Sequence, residues 1–308
     1  AYAFAGLEAD LIDLRERDAS ETAARRRASL AAIESAMQFL VDEGVSDADG
    51  RTATLARIHW HDAADADRAL ATADLVVEAV AESTTEKAPV LARIDRAVRP
   101  GCVIGSTTST IAPDALAAMV SNPARYLNIH WVNPAHLSPI VELQPGSATD
   151  PERVAALRAM HETMGKVPIV CGPSPGYLMP RLQLALMNEA ARMVQEGVAS
   201  PADIDQAMRW GLGVRYANMG LLEFVDWGGA EILRNAGRYL AGALQADRFA
   251  PPAIVERMIA EGRTGLRSGQ GFYDWRDRDV PAEQRAAQHR IVDTLRRTGQ
   301  LPRPGVLR

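Results

Sequence analysis

Apolar residues along this chain follow two rhythms. Up to about residue 171, short apolar runs of strand length alternate with stretches whose apolar positions recur every three or four residues, the spacing of one helix face. The runs predict strands over 7–13, 55–60, 75–80, 102–105, 126–130, 139–143 and 167–171. Helical spacing predicts helices over 20–43, 85–98, 113–120 and 151–165, the first capped by Ser20 and closed by Gly44. Residues 1–5 read as the last turn of a helix ending at Gly6. Leu75-Val76-Val77-Glu78-Ala79-Val80 is almost continuously apolar, as a strand covered on both faces should be.

This alternation predicts an α/β fold, a Rossmann-type doubly wound sheet that is mostly parallel. It stops at Gly172-Pro173-Ser174-Pro175-Gly176. Beyond it the pattern is helical throughout, over 177–196, 201–210, 221–244, 252–261 and 281–298. The expected organisation is a nucleotide-binding domain over 1–173 followed by an all-α C-terminal domain over 174–308.

Composition narrows the function classes. A net charge of −5 offers no basic field for nucleic acid or an anionic membrane. No apolar run approaches the ~18–20 residues that would span a bilayer. Cys102 and Cys171 have neither metal-ligand spacing nor disulfide density, which points to a reducing, cytoplasmic setting. His59 and His61 alternate on a predicted strand, but no further metal ligands accompany them, and no metal is expected. The only lysines are Lys87 and Lys166.

A strand ending on Asp13 and followed by a long helix is the second half of a dinucleotide-binding βαβ unit. There the carboxylate accepts from the adenosine ribose hydroxyls, which favours NAD over NADP. Arg15 and Arg17 weaken that preference, since a nearby arginine can take a 2′-phosphate. No G-x-G-x-x-G occurs among the 308 residues. The first strand and its phosphate loop, about 20 residues, are therefore expected upstream of Ala1.

Asn128-Ile129-His130-Trp131-Val132-Asn133-Pro134 and Ile140-Val141-Glu142 carry the most specific chemistry. Adjacent strands would bring Glu142 beside His130. A carboxylate on one imidazole nitrogen fixes the tautomer and makes the other nitrogen a better base, which suits removal of a proton from a secondary alcohol. A buried structural His–Glu pair is the competing reading.

With these segments in view, the chain resembles the 3-hydroxyacyl-CoA dehydrogenase family over nearly its whole length. Further matching stretches are Ala73 to Glu82, Ser106 to Thr110, Ser174-Pro175-Gly176-Tyr177, Glu196 to Ser200 with Asp203-Ile204-Asp205, and Gly269-Gln270-Gly271-Phe272-Tyr273. The resemblance implies His130 as general base, Glu142 as its orienting acid and Ser109 as the serine that contacts the substrate oxygen. It implies Asp13 on the ribose, Glu82 and Lys87 along the cofactor near the nicotinamide, and NAD as that cofactor. It also implies an acyl-CoA substrate, a place in fatty acid metabolism and a homodimer formed through the helical half. Arg25, Arg26 and Arg27 are candidates for CoA phosphate contacts or a solvated helix face, and His136 for a substrate carboxylate or a loop surface.

Two positions depart from the family pattern. Pro180 stands where the family has an asparagine that binds the carbonyl side of the substrate, and Thr107 stands where Asn is usual. Both bear on acyl-CoA specificity more than on the hydride chemistry. The expected reaction interconverts a 3-hydroxyacyl-CoA and a 3-oxoacyl-CoA. The alternatives are a free hydroxy acid or other small non-CoA alcohol handled by the same site, and a non-catalytic NAD-binding module of the same fold. A retained Ser109, His130 and Glu142 set argues against the last.

Overall fold

The structure is a computed structural model, and it describes residues 1–301. Among these residues seven strands form: β1 (Ala9–Ile12), β2 (Ile58–His61), β3 (Leu75–Glu78), β4 (Val103–Ser106), β5 (Tyr126–Trp131), β6 (Ile140–Pro145) and β7 (Val167–Val170). They fall into two sheets, β1-β2 and β3-β4-β5-β6-β7. Every pairing is parallel except β5 with β6. The first unit, Ala1–Asn188, carries both sheets and the helices α1 (Ala19–Asp42), α2 (Ala48–Ala56), α3 (Ala66–Thr72), α4 (Thr84–Ala97), α5 (Pro113–Ala117) and α6 (Pro151–Thr163). The α/β, mostly parallel architecture is the one the alternating rhythm predicts.

Local differences have local causes. Residues expected to open a strand at Leu55 belong to α2, because Asp47 caps that helix by accepting from the amide of Gly50. The long helix starts one residue before Ser20, with Asp18 rather than Ser20 as its cap. The helix α3 has too short an apolar period to stand out in the sequence, yet Ala66, Ala69 and Leu70 are buried. Residues 1–5 form one turn closed as a helix end is: the Ala5 amide bonds the Ala1 carbonyl, and the Gly6 and Leu7 amides bond the Ala3 and Tyr2 carbonyls around Gly6 at φ 97°.

Two apolar clusters hold the first unit together. Leu70, Leu91, Ile94, Ile104, Leu116 and Tyr126 form one, and Ile12 and Leu14 at the end of β1 pack against it. The two sheets thus share a core although their strands do not pair. The second cluster packs Leu127, Ile129, Val141 and Leu143 under Leu157 of α6. Gly105 in β4 permits this packing, since a Cβ there would lie 2.7 Å from Ile129 Cδ1.

The second unit is Glu189–Arg308, and α7 (Met179–Gln195) crosses the division between the two. The sequence places this division earlier, at 173/174. In the structure the Gly172–Leu178 linker and the start of α7 remain in the first unit, through bonds described below. The second unit is shaped further by α8 (Pro201–Gln206), α9 (Val214–Tyr216), α10 (Leu221–Gly228), α11 (Ala230–Ala243), α12 (Ala253–Ala260) and α13 (Val280–Arg297). A π-helical segment, Ala207–Gly213, joins α8 to α9. The single helix predicted over 221–244 is two, because Gly229 turns the chain at φ 100°, a conformation reserved for glycine. Asp226 is buried and accepts from the amides of Phe272 and Tyr273 and from Trp275 Nε1, each at 2.9 Å. The Gly269–Tyr273 motif is therefore a folded loop pinned on one carboxylate. Among the described residues no helix is long and apolar enough to cross a membrane.

Candidate active site

The site is built on one face of the antiparallel pair β5-β6. Alternation puts Leu127, Ile129, Val141 and Leu143 on the apolar side against α6, which leaves Tyr126, Asn128 and His130 facing the other way. The register sets His130 opposite Glu142 and Asn128 opposite Gln144. Polar residues on this buried face bond one another. Tyr126 Oη donates to Asn128 Oδ1 at 2.8 Å, and Gln144 Nε2 donates to the Gly172 and Ser174 carbonyls at 3.0 and 2.6 Å. The linker after β7 is thereby tied to the sheet.

His130 and Glu142 meet as the spacing allows. His130 Nδ1 lies 2.6 Å from Glu142 Oε2. The other oxygen, Oε1, accepts from the amides of Leu178 and Met179 at 2.9 and 2.8 Å. These amides open α7, so the carboxylate sits where unpaired N–H groups and the helix dipole favour negative charge. Glu142 is fully buried. Burial pushes its carboxyl up, but the bonds from His130, Met179 and Leu178 together outweigh it and hold it below the ordinary 4.5. Pro180 follows in the first turn of α7, where its missing N–H costs no helix bond. The Cys171 thiol lies 3.9 Å from Oε1, and burial followed by the charge of Glu142 pushes it up to about 11.

The polar stretch after β4 leaves the same sheet edge as His130, since β4 and β5 are parallel with Ser106 beside Asn128. Glu82 holds it. One oxygen, Oε1, accepts from Thr108 Oγ1 at 2.6 Å, the Ser109 amide at 2.9 Å, the Thr110 amide at 3.0 Å and Thr110 Oγ1 at 3.1 Å. Burial pushes the Glu82 carboxyl up, and these bonds more than offset it, so it too lies below 4.5.

Lys87 points inward. Its ammonium donates to both oxygens of Glu78 at 3.0 Å and to the Val80 carbonyl at 3.2 Å, and lies 3.7 Å from Glu82 Oε2. Both Lys87 and Glu78 are buried, and Ser106 Oγ donates to Glu78 Oε2 at 2.6 Å. Between these two groups, it is Glu82 that faces outward, with its side chain 41% exposed. Glu78 is not among the site residues expected from the sequence. A carboxylate inside the apolar run 75–80 was the available signal, because such a group needs a buried cation, and Lys87 is one of two lysines in the chain.

Asp13 directly follows β1 and is half-buried. Burial pushes its carboxyl up, yet a bond from Arg17 Nε at 2.8 Å and one from the Arg15 amide hold it below 3.8. An ionised acceptor at the carboxyl end of a strand fits a ribose diol, with Arg17 sharing one of its oxygens. Other candidates lie apart from this cluster. Arg25, Arg26, Arg27 and His136 are exposed, and Thr107 uses its amide on the Glu78 carbonyl. His59 bonds Glu8, just before β1, and His61 bonds Asp10 within it, each at 2.8 Å. Among the described residues no three metal-ligating side chains come together.

Comparison with known proteins agrees with this architecture. The family model for the NAD-binding domain of 3-hydroxyacyl-CoA dehydrogenase matches residues 1–174, and that for the C-terminal domain matches residues 176–275. The 5-formyl-3-hydroxy-2-methylpyridine 4-carboxylate 5-dehydrogenase of Mesorhizobium japonicum is 32% identical over 86% of this chain and 87% of its own. A probable 3-hydroxybutyryl-CoA dehydrogenase of Deinococcus radiodurans is 33% identical over 74% of this chain and 80% of its own. The solved 3-hydroxyacyl-CoA dehydrogenase of Archaeoglobus fulgidus superposes with a TM-score of 0.74 at 28% identity, covering 97% of this chain and 94% of that one. A Rossmann-type domain with an NAD-binding match, followed by the helical domain of the same enzymes, identifies an NAD-using oxidoreductase, and the chain belongs to the 3-hydroxyacyl-CoA dehydrogenase family.

Proposed function

We propose that this enzyme oxidises the hydroxyl of a 3-hydroxyacyl-CoA to the 3-oxoacyl-CoA, and reverses the reaction, with His130 as the general base. The observation that carries this reading is the 2.6 Å contact between His130 Nδ1 and a Glu142 whose other oxygen is held by two amides. A carboxylate that accepts from Nδ1–H leaves Nε2 as the basic nitrogen. His130 then takes the hydroxyl proton at Nε2, and Glu142 stabilises the imidazolium that forms. Ser109 holds the substrate oxygen on a loop fixed by Glu82. General-base assistance of this kind contributes about 10²–10⁴ in rate.

Asp13 would hold the adenosine ribose and Glu82 would lie along the nicotinamide side, with Lys87 setting Glu82 from beneath. NAD, when bound, supplies the hydride acceptor. The first unit is the cofactor half and the second the substrate and dimer half. Exposed apolar residues on α10 and α11, among them Leu222, Ile232 and Tyr239, support a homodimer through the second unit, which light scattering tests. Cysteines without a disulfide are in keeping with a cytoplasmic enzyme.

A second reading, a small non-CoA alcohol or hydroxy acid handled by the same residues, is favoured by Pro180; the Mesorhizobium relative, whose name specifies a formyl-bearing pyridine carboxylate, supports its non-CoA part. The two are separated by NADH formation from 3-hydroxybutyryl-CoA, from free 3-hydroxybutyrate and from a pyridine 4-carboxylate carrying an alcohol. Turnover of the thioester alone supports the first reading. Turnover of a free acid alone replaces it with the second.

A further inference from the structure

We propose that Tyr177 is a positioning residue that locks the plane of the His130 imidazole to the Ser109 loop. This inference rests on the reading of His130 as base. The Tyr177 ring stacks on the His130 ring with 5.4 Å between centroids and 10° between planes. Its hydroxyl donates to the Thr108 carbonyl at 2.8 Å, and the neighbouring Gly176 amide donates to the Thr110 carbonyl at 3.3 Å. Both residues flanking Ser109 are thus anchored to the Gly176-Tyr177 dipeptide. One side chain spans from the face of the imidazole to the backbone that carries the serine.

The backbone at Tyr177 supports a role beyond filling space. Its φ is +46°, a conformation that costs a bulky side chain energy and is retained where the surroundings enforce it. Tyr177 is 5% exposed, so its hydroxyl needs a protein acceptor, and the one it has belongs to the serine loop. Burial, followed by the neighbouring Tyr126, pushes its phenol well above the ordinary 10.0, so it remains a hydrogen-bond donor across the working range.

Glu142 fixes the imidazole along one edge only, and rotation about the Nδ1···Oε2 axis would still swing Nε2. Stacking removes that freedom. A phenylalanine at this position would stack equally well but would lose the one bond that joins the stacked ring to the serine loop at Thr108. The hydroxyl makes the angle of the base and the position of the substrate oxygen interdependent, and alignment of this kind is what near-attack geometry requires.

The test uses the full chain with Tyr177→Phe, Tyr177→Leu and His130→Ala, assayed with the best of the substrates named above and with its 3-deuterated form. Tyr177→Phe should lower kcat by about tenfold, the size of one neutral hydrogen bond, with KM within about twofold. Tyr177→Leu should lower it about tenfold more. In both, the deuterium isotope effect on kcat should rise, because misalignment slows the chemical step itself. In Tyr177→Leu the His130 ring protons should also lose the ring-current shift that a stacked phenol imposes in proton NMR, while Tyr177→Phe should retain it. A kcat that falls only in proportion to the folded fraction, with an unchanged isotope effect, would overturn the proposal. So would full activity in both variants. If His130→Ala is inactive in those cases, the inference about Tyr177 fails alone. If His130→Ala retains turnover, the reading of the base fails instead.

Discussion

Glu142 divides its two oxygens between the imidazole of His130 and the opening amides of the helix that follows the linker. That geometry makes an otherwise costly buried carboxylate stable in its charged form, because every acceptor direction it uses meets a donor.

Acid sensitivity follows from that arrangement. The folded protein holds the Glu142 carboxyl below 4.5, so the stability it contributes is complete above that pH and is lost as pH falls through the lower folded value. Thermal unfolding of the unchanged chain and Glu142→Gln should therefore differ most near neutrality. The gap should narrow steadily below about pH 4.5. A gap that widens on acidification would contradict the assigned bonding.

Removal of the Glu82 carboxylate should free the serine loop. Glu82→Ala takes four hydrogen bonds from residues 108–110 at once. Amide exchange at Ser109 and Thr110 should accelerate by at least about fivefold, as expected when a hydrogen bond worth about 1 kcal/mol is lost, while exchange in β5 stays unchanged. Unaltered exchange at both amides would mean that the loop is held by other contacts.

The buried Glu78–Lys87 pair predicts an asymmetry. Lys87→Met leaves a buried carboxylate without its cation and should cost about 3–5 kcal/mol of stability. The double substitution Glu78→Met with Lys87→Met should recover most of that loss, because no charge is then buried. Urea unfolding of the three proteins checks this. A double variant as unstable as the single one would refute it.

Much of this organisation was legible in the sequence, for identifiable reasons. The strand and helix rhythm of the first unit shows because parallel strands covered on both faces must be apolar throughout, as in Leu75–Glu78. The meeting of His130 and Glu142 was foreseeable because each sits on a short strand and only a loop intervenes. Other features depend on long-range packing. The inward turn of Lys87 shows only through its partner Glu78, which lies nine positions back on a different element. The break at Gly229 is hidden because apolar residues continue at helical spacing on both sides of it. The stack of Tyr177 on His130 joins residues far apart in the chain, and no local pattern encodes it.

Asp226 should prove the fulcrum of the second unit. Asp226→Ala leaves three N–H donors without a partner and should cost at least about 2 kcal/mol in unfolding free energy. Asp226→Asn keeps one acceptor oxygen and should lose less. Equal stability of all three proteins would show that the Gly269–Tyr273 loop is held by its own turns.

The base assignment is tested most directly by NADH formation from 3-hydroxybutyryl-CoA in the full chain and in His130→Ala, with NAD binding measured calorimetrically on both. Turnover should fall by about 10²-fold or more in the variant while NAD affinity stays within about twofold. Retained turnover in His130→Ala would contradict the role of His130 as the proton acceptor.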